Sequence, residues 1–248
     1  MGEGIDLSAV RIVLSHTSHP GNIGAAARAM KTMGLSRLYL VRPKQYPHSE
    51  AVALASGADD LLSQAVVCDS LDEALTGTVM AVAATARNRD LSHEVVPCRE
   101  ACRRLAHETS RGEVAVVFGT ERTGLTIAEV NKCGLIATIP TGREYASLNL
   151  AQAVQVFAYE LRIAADTSGQ DVAPLDSTKS AVNMATHDEV ERFYEHLETV
   201  LFETQFLDPA QPGRLMQRLR RLFARARLEK EEVNILRGIL SAMQDKRQ

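Results

Sequence analysis

Short apolar runs recur through the first two thirds of the chain. Arg11–Ser15, Arg37–Val41, Ala65–Cys68, Val79–Ala84, Val114–Gly119 and Leu135–Ile139 are continuous and rich in β-branched residues. Continuous apolar runs, as opposed to alternating ones, predict strands buried on both faces. Between them, polar and apolar positions recur at helical spacing over Asn22–Met33, Glu50–Ala55, Leu71–Leu75, Arg99–Thr109, Thr126–Lys132 and Ser147–Arg162. Strand–helix alternation of this kind predicts an α/β fold on an open parallel sheet.

The alternation stops at the polar segment Asp166–Ser180, which contains Gly169 and Pro174 and reads as a linker. Beyond it Thr186 and Glu189 have the spacing of a capping box. Three helices are predicted after that: Asp188–Thr204, Pro212–Arg227 and Glu229–Gln244, the first two separated by the breaker Asp208–Gly213. The expected organisation is an α/β domain over 1–164, a linker over 165–185 and a small all-α domain over 186–248.

Composition narrows the class. The 248 residues carry a net charge of −3, so the chain as a whole is not a polycation, although local basic patches remain open. Aromatic residues make up 4% and Trp is absent, which supplies few stacking platforms for single-stranded bases. No apolar run reaches the roughly 18 residues a membrane span needs. The first ten residues lack a basic segment followed by an apolar one, so the expected location is the cytosol. There Cys68, Cys98, Cys102 and Cys133 would be reduced thiols. Cys98 and Cys102 lie four apart with His107 nearby, but no second close pair completes a zinc site, and no metal is expected.

Three stretches carry candidate chemistry. In Gly21–Met30, Ile23, Ala27 and Met30 form one helical stripe, while Gly21, Gly24, Arg28 and Lys31 form another. Two positions without side chains followed by two cations, near a helix N-terminus, suit a phosphate-bearing ligand; alternatively Arg28 is a solvated charge and the alanines reflect helix propensity. In Val116–Thr126 a strand ends at Gly119 and a polar loop leads past Gly124 to Thr126, where parallel sheets form their ligand crevice. Glu121 and Arg122 in that loop are placed to pair with each other. In Ile139–Arg162 a strand ends at Pro140, and Ser147 reads as the N-cap of a long helix, with Asn149 in its first turn. The GxSxG elbow is missing, which argues against a serine hydrolase. The glycine fingerprint of dinucleotide-binding oxidoreductases is missing too.

The last third adds arginines at 214, 218, 220, 221, 225 and 227, with no acidic residue between Asp208 and Glu229. Such a stripe is either a phosphate contact or a solvated face balanced by Glu229, Glu231 and Glu232.

Taken together, "NIGAAARAM", "FGTERTGL" and "SLNLAQA" resemble the three motifs of SPOUT-class RNA 2′-O-methyltransferases over roughly residues 9 to 164. The tail, with "VERFYEHLETVL" and Leu219–Leu240, resembles the C-terminal domain of the bacterial TrmJ group. The resemblance implies an α/β parallel sheet with a C-terminal trefoil knot, followed by the all-α domain. It implies methyl transfer from S-adenosylmethionine to the ribose of cytidine or uridine at position 32 of the tRNA anticodon loop, by a homodimer without metal.

Carried over by motif, the implied catalytic residues are Arg28 and Ser147. The implied cofactor residues are Ala84, Thr85, Ala86, Gly119, Glu121, Gly124, Ile139, Ala146, Ser147, Leu148 and Asn149. RNA contacts are expected at Arg28, Arg89, Arg214, Arg218, Arg221 and Arg225. Arginine is a poor base, since guanidinium stays protonated; holding the phosphate beside the reacting ribose is the role its chemistry supports. Two alternatives stand beside this reading: a related enzyme acting on ribosomal RNA, and an RNA-binding protein that keeps the fold without turnover.

Overall fold

The computed structural model describes residues 5–86, 94–142, 144, 146–167, 183–208, 210 and 213–245. In chain order these form β1 (Val10–Ser15), α1 (Pro20–Thr32), β2 (Arg37–Val41), α2 (Ser49–Ala55), α3 (Asp59–Ser63), β3 (Val66–Cys68), α4 (Leu71–Leu75) and β4 (Thr78–Ala84). Then come β5 (Val95–Pro97), α5 (Cys98–Glu108), β6 (Glu113–Phe118), α6 (Ile127–Val130), β7 (Leu135–Thr138), α7 (Leu150–Thr167), α8 (His187–Glu203), α9 (Leu215–Ala226) and α10 (Lys230–Asp245). The strands make one sheet in the order β3-β2-β1-β6-β4-β7-β5. Every ladder in it is parallel.

Both faces of the sheet are covered, which is why its strands read as unbroken apolar runs. Ile12, Leu14, Val116 and Phe118 enter one core with Ile23 and Met30 of α1, Leu105 of α5 and Phe157 of α7. Their neighbours Val13, Val117 and Ala83 enter a second core with Leu71, Leu75 and Val130. Successive residues point to opposite faces, so each six-residue strand feeds both cores. The sequence pattern misses two elements. β5 is a three-residue edge strand, and α3 is a five-residue helix after Gly57; each is too short to show periodicity.

The second stripe of α1 has a different use from the one its glycines suggested. Gly21 and Gly24 are buried against α2. A Cβ on Gly24 would stand 2.0 Å from the carbonyl oxygen of Ala51, and one on Gly21 would stand 2.7 Å from Leu54. Gly24 lets the two helices touch backbone to backbone, and Gly21 makes room for the Leu54 and Glu50 side chains; Arg28 on the same stripe is exposed.

Helix α7 also starts later than expected. Asn149 Oδ1 accepts from the Ala151 amide at 2.9 Å and the Asn149 carbonyl accepts from Ala153, so Asn149 caps the helix and Ser147 lies in the loop before it. Asn is as good a cap as Ser. The helix continues to Thr167, and Met184 and Ala185 are buried, so the joining segment is shorter at both ends than the expected 165–185.

Helices α8 to α10 pack around Phe193, Tyr194, Val200, Val233 and Leu240. The expected capping box forms at Thr186 and Glu189. Arg220 lies 4.3 Å above the Tyr194 ring and pairs with Glu191. This unit sits against the N-terminal ends of the strands. Asp188 accepts from the Gly77 amide, His187 meets Asp72 at 3.2 Å, and Arg227 reaches the buried Glu108 at 2.5 Å.

Candidate active site

The opposite, C-terminal edge of the sheet holds a cavity of about 370 Å³ at the ends of β4, β6 and β7. Ten of the eleven predicted cofactor residues line it: Ala84, Thr85 and Ala86; Gly119, Glu121 and Gly124; Ile139; and Ala146, Ser147 and Leu148. Phe118, Leu150 and Phe157 supply an apolar floor. Asn149, the eleventh, is not in the wall. Arg89 lies outside the described residues.

Gly119 and Gly124 shape this wall. A Cβ on Gly119 would meet backbone atoms of Gly124 and Leu125 at 2.2 Å, and Gly124 has φ +68°. The loop therefore folds tightly on itself, with Thr120 bridged to Gly124, and α6 then starts at a full capping box between Thr126 and Glu129.

Glu121 does not form the expected clamp with Arg122. Its carboxylate turns to the head of α1, where it accepts from the Ser18 amide and hydroxyl, the His19 amide and Asn22 Nδ2 at 3.0 Å. α1 has no side-chain cap of its own, and a helix N-terminus favours an anion. The anionic position predicted there for a ligand phosphate is thus filled from within. Burial pushes the Glu121 carboxyl up, but the bonds from Asn22, Ser18 and the backbone outweigh it and lower the pKa to about 2. Held in this way, the group is an acceptor and not a proton carrier near neutral pH.

Asn22 links the motifs. While Nδ2 donates to Glu121, Oδ1 accepts from Asn149 Nδ2 at 3.0 Å. One residue from each of the three stretches thus meets in a single chain of hydrogen bonds beside the cavity. The sequence motifs give Asn22 no role, although an Asn in the first turn of a helix, where it is unfavourable unless bonded to something specific, is a usable signal.

The two predicted catalytic residues are placed differently. Ser147 is in the cavity wall and exposed. Arg28 is exposed on α1, six residues beyond Asn22, and does not line the cavity. Among the described residues no group of histidine, cysteine and acidic side chains is arranged to hold a metal. Cys98 and Cys102 are buried on α5, where burial raises both thiols.

The predicted RNA arginines separate by pairing. Arg220 and Arg227 are tied to Glu191 and Glu108. Arg214, Arg218, Arg221 and Arg225 have no carboxylate partner among the described residues and recur at i, i+4, i+7 and i+11 along α9. They share one face, about 16 Å long at 1.5 Å per residue.

A parallel α/β domain with its cavity at the strand ends, joined to a helical unit that carries one arginine-rich helix, fits the class of RNA-modifying transferases. The chain belongs to the SpoU rRNA methylase family, whose model matches residues 9–159, and residues 188–248 match the model of the C-terminal domain of the tRNA methyltransferase TrmJ. A tRNA (cytidine/uridine-2′-O-)-methyltransferase TrmJ from Pectobacterium atrosepticum is 51% identical over 96% of this chain and 98% of its own length. The crystal structure of TrmJ from Z. mobilis superposes with a TM-score of 0.81 at 35% identity, covering 94% of this chain and 98% of that one. A structure described as giving insight into 2′-OH methylation of C/U34 on tRNA matches 65% of this chain and 97% of its own, at 26% identity and a TM-score of 0.52.

Proposed function

We propose that this protein methylates the ribose 2′-hydroxyl of cytidine or uridine at position 32 of tRNA, using S-adenosylmethionine. The observation that carries the reading is the convergence of the second and third motifs on one cavity, with Ser147 exposed in its wall and Asn22 of the first motif hydrogen-bonded to both of them beside it. The relatives similar over nearly the whole chain are named as tRNA cytidine/uridine 2′-O-methyltransferases. The protein matched to C/U34 corresponds to 65% of this chain while using 97% of its own. The helical unit, which matches a TrmJ C-terminal domain, therefore favours position 32 over position 34, and tRNA over ribosomal RNA. Such an enzyme acts in the cytoplasm.

The cavity suits the cofactor. Its volume falls within the range of small-molecule sites, which combine apolar walls with a few polar groups, and here Phe118, Leu148 and Phe157 lie beside Thr85, Thr120 and Ser147. Residues 84–86, 119–124, 139 and 146–148 would hold it. Bound there, it supplies a methyl group already activated by its sulfonium, so the protein's task is alignment and proton removal. Asn149 acts indirectly, by fixing the start of α7 and bonding Asn22. Ser147 positions the 2′-hydroxyl. Arg28, permanently charged, holds the phosphate beside the reacting ribose, and the hydroxyl proton leaves to phosphate or solvent. Arg89 belongs to the same proposal as an RNA contact, and Arg214, Arg218, Arg221 and Arg225 as contacts to the tRNA backbone.

The trefoil knot and the homodimer complete the reading. The order β6-β4-β7, with α7 returning to pack on α1 and α5, supports the knot. Tyr159 and Ile163, exposed one turn apart on α7, support an interface there.

Nucleoside mass spectrometry tests the activity. Bulk tRNA from a strain lacking the gene is incubated with S-adenosylmethionine and either wild type or Arg28→Ala. New 2′-O-methylcytidine or 2′-O-methyluridine with the wild type alone is the expected result. Neither nucleoside with a wild type that still binds the cofactor overturns the substrate assignment.

A further inference from the structure

Most cations of the α/β domain have a carboxylate partner: Arg11 and Arg37 share Glu113, Arg99 meets Glu160, and Lys31 meets Asp60. Arg42 and Lys44 have none among the described residues, and both are exposed in the loop after β2. That loop lies at the same end of the sheet as the cavity, joined to its wall through the β1 loop. The Lys44 amide donates to the Thr17 carbonyl and the His16 amide to the Val41 carbonyl, while Ser18, next in the β1 loop, bonds Glu121 in the cavity wall.

The backbone there is held in an uncommon state. His16 has φ +54° and Arg42 has φ +43°, at the ends of two adjacent parallel strands. Non-glycine residues adopt this region at a cost, and such outliers cluster at functional sites. The Arg42 amide is fixed by the Cys68 carbonyl. Two acids stand near this shelf: Glu121 is bonded at the head of α1, and Glu129 bonds Ser15, the Thr126 amide and the Thr126 hydroxyl while lying 3.8 Å from His16 Nδ1. His16 joins the same group, its Nδ1 2.9 Å from Ser15 Oγ.

We propose that Arg42 and Lys44, with His16 beside them, form a shelf that binds the sugar-phosphate backbone of the substrate RNA next to the nucleotide entering the cavity. This rests on the RNA-methyltransferase reading and extends it to a surface outside the three motifs. The shelf lies on the cavity's edge of the sheet, whereas the α9 arginines lie on a unit docked at the other edge. The two basic surfaces therefore contact different stretches of one tRNA.

The test uses full-length Arg42→Gln/Lys44→Gln protein, with tRNA affinity measured across salt concentrations. Loss of two phosphate contacts is expected to weaken binding about tenfold and to lower the salt slope by about 1.5. The loss should appear in KM for tRNA more than in kcat, with the affinity for S-adenosylmethionine unchanged. Arg42→Lys, which keeps the charge, should restore most of the affinity that Arg42→Gln loses, which separates a phosphate contact from a folding defect. An unchanged salt slope in the double variant, with wild type active on tRNA, overturns the shelf alone. A wild type that methylates no tRNA overturns the activity reading, and the shelf with it.

Discussion

Asn22 Nδ2 donates to Glu121 Oε1 at 3.0 Å across 99 residues of chain. This contact joins the head of α1 to the loop after β6. The other end of the Asn22 carboxamide extends the link to Asn149. Removing the carboxylate in Glu121→Ala strands the Ser18 and His19 amides and the Asn22 side chain. Hydrogen bonds to a charged group contribute about 1.5–3 kcal/mol each at most sites, so a loss of about 3 kcal/mol is expected, read as a melting temperature about 6–12 °C lower. Methyl transfer should fall as well, since the cavity wall and α1 lose their common anchor.

The same carboxylate gives a pH prediction. Its pKa is lowered from 4.5 to about 2 in the folded protein. The stability it contributes is therefore fully present above about pH 4.5 and is lost as the pH falls toward 2. Glu121→Gln should flatten that part of the stability curve, measured by urea unfolding between pH 2 and 5.

Gly24 supplies a packing test. Elsewhere in a helix Gly→Ala stabilises by up to about 1 kcal/mol. Here the added methyl would meet the Ala51 carbonyl oxygen at 2.0 Å and force α1 and α2 apart. Gly24→Ala should destabilise by about 1–3 kcal/mol; equal or higher stability in denaturant unfolding would contradict the contact.

Arginines on the helical unit should divide by partner. Arg227→Ala leaves Glu108, whose side chain is 2% exposed, with Arg111 as its remaining strong partner. Losing one charged hydrogen-bond partner of a buried carboxylate that keeps another costs about 1–2 kcal/mol, so thermal unfolding should shift down. Arg218→Ala and Arg225→Ala should leave the melting temperature alone and each reduce the salt slope of tRNA binding by about 1. The reverse pattern, with Arg218 essential for folding, would refute the division.

Ending the chain at Thr167 removes the helical unit. The cavity lies at the other edge of the sheet, so S-adenosylmethionine binding should persist while tRNA binding weakens greatly. Unchanged tRNA affinity in a titration of the shortened chain would show that the α9 arginines do not contact RNA.

Local pattern determined much of this protein. Six of the seven strands, the long helices and the capping box at Thr186 follow from short-range apolar spacing and side-chain chemistry, because each depends on residues within one or two turns. The residues around the cavity were legible through resemblance, as two of the three motifs and residues 84–86; spacing alone left each ambiguous. The tertiary structure decided how they combine. That Gly24 meets a helix and not a phosphate, that Glu121 caps α1 from the loop after the neighbouring strand and that Asn149 bonds Asn22 all depend on contacts between segments distant in sequence. So does the separation of structural from unpaired arginines: α9 carries them all on one short stretch, and only the positions of Glu191 and Glu108 in space tell which are neutralised. Periodicity reports which face of an element is buried, but a partner 99 or more residues away leaves no mark on it.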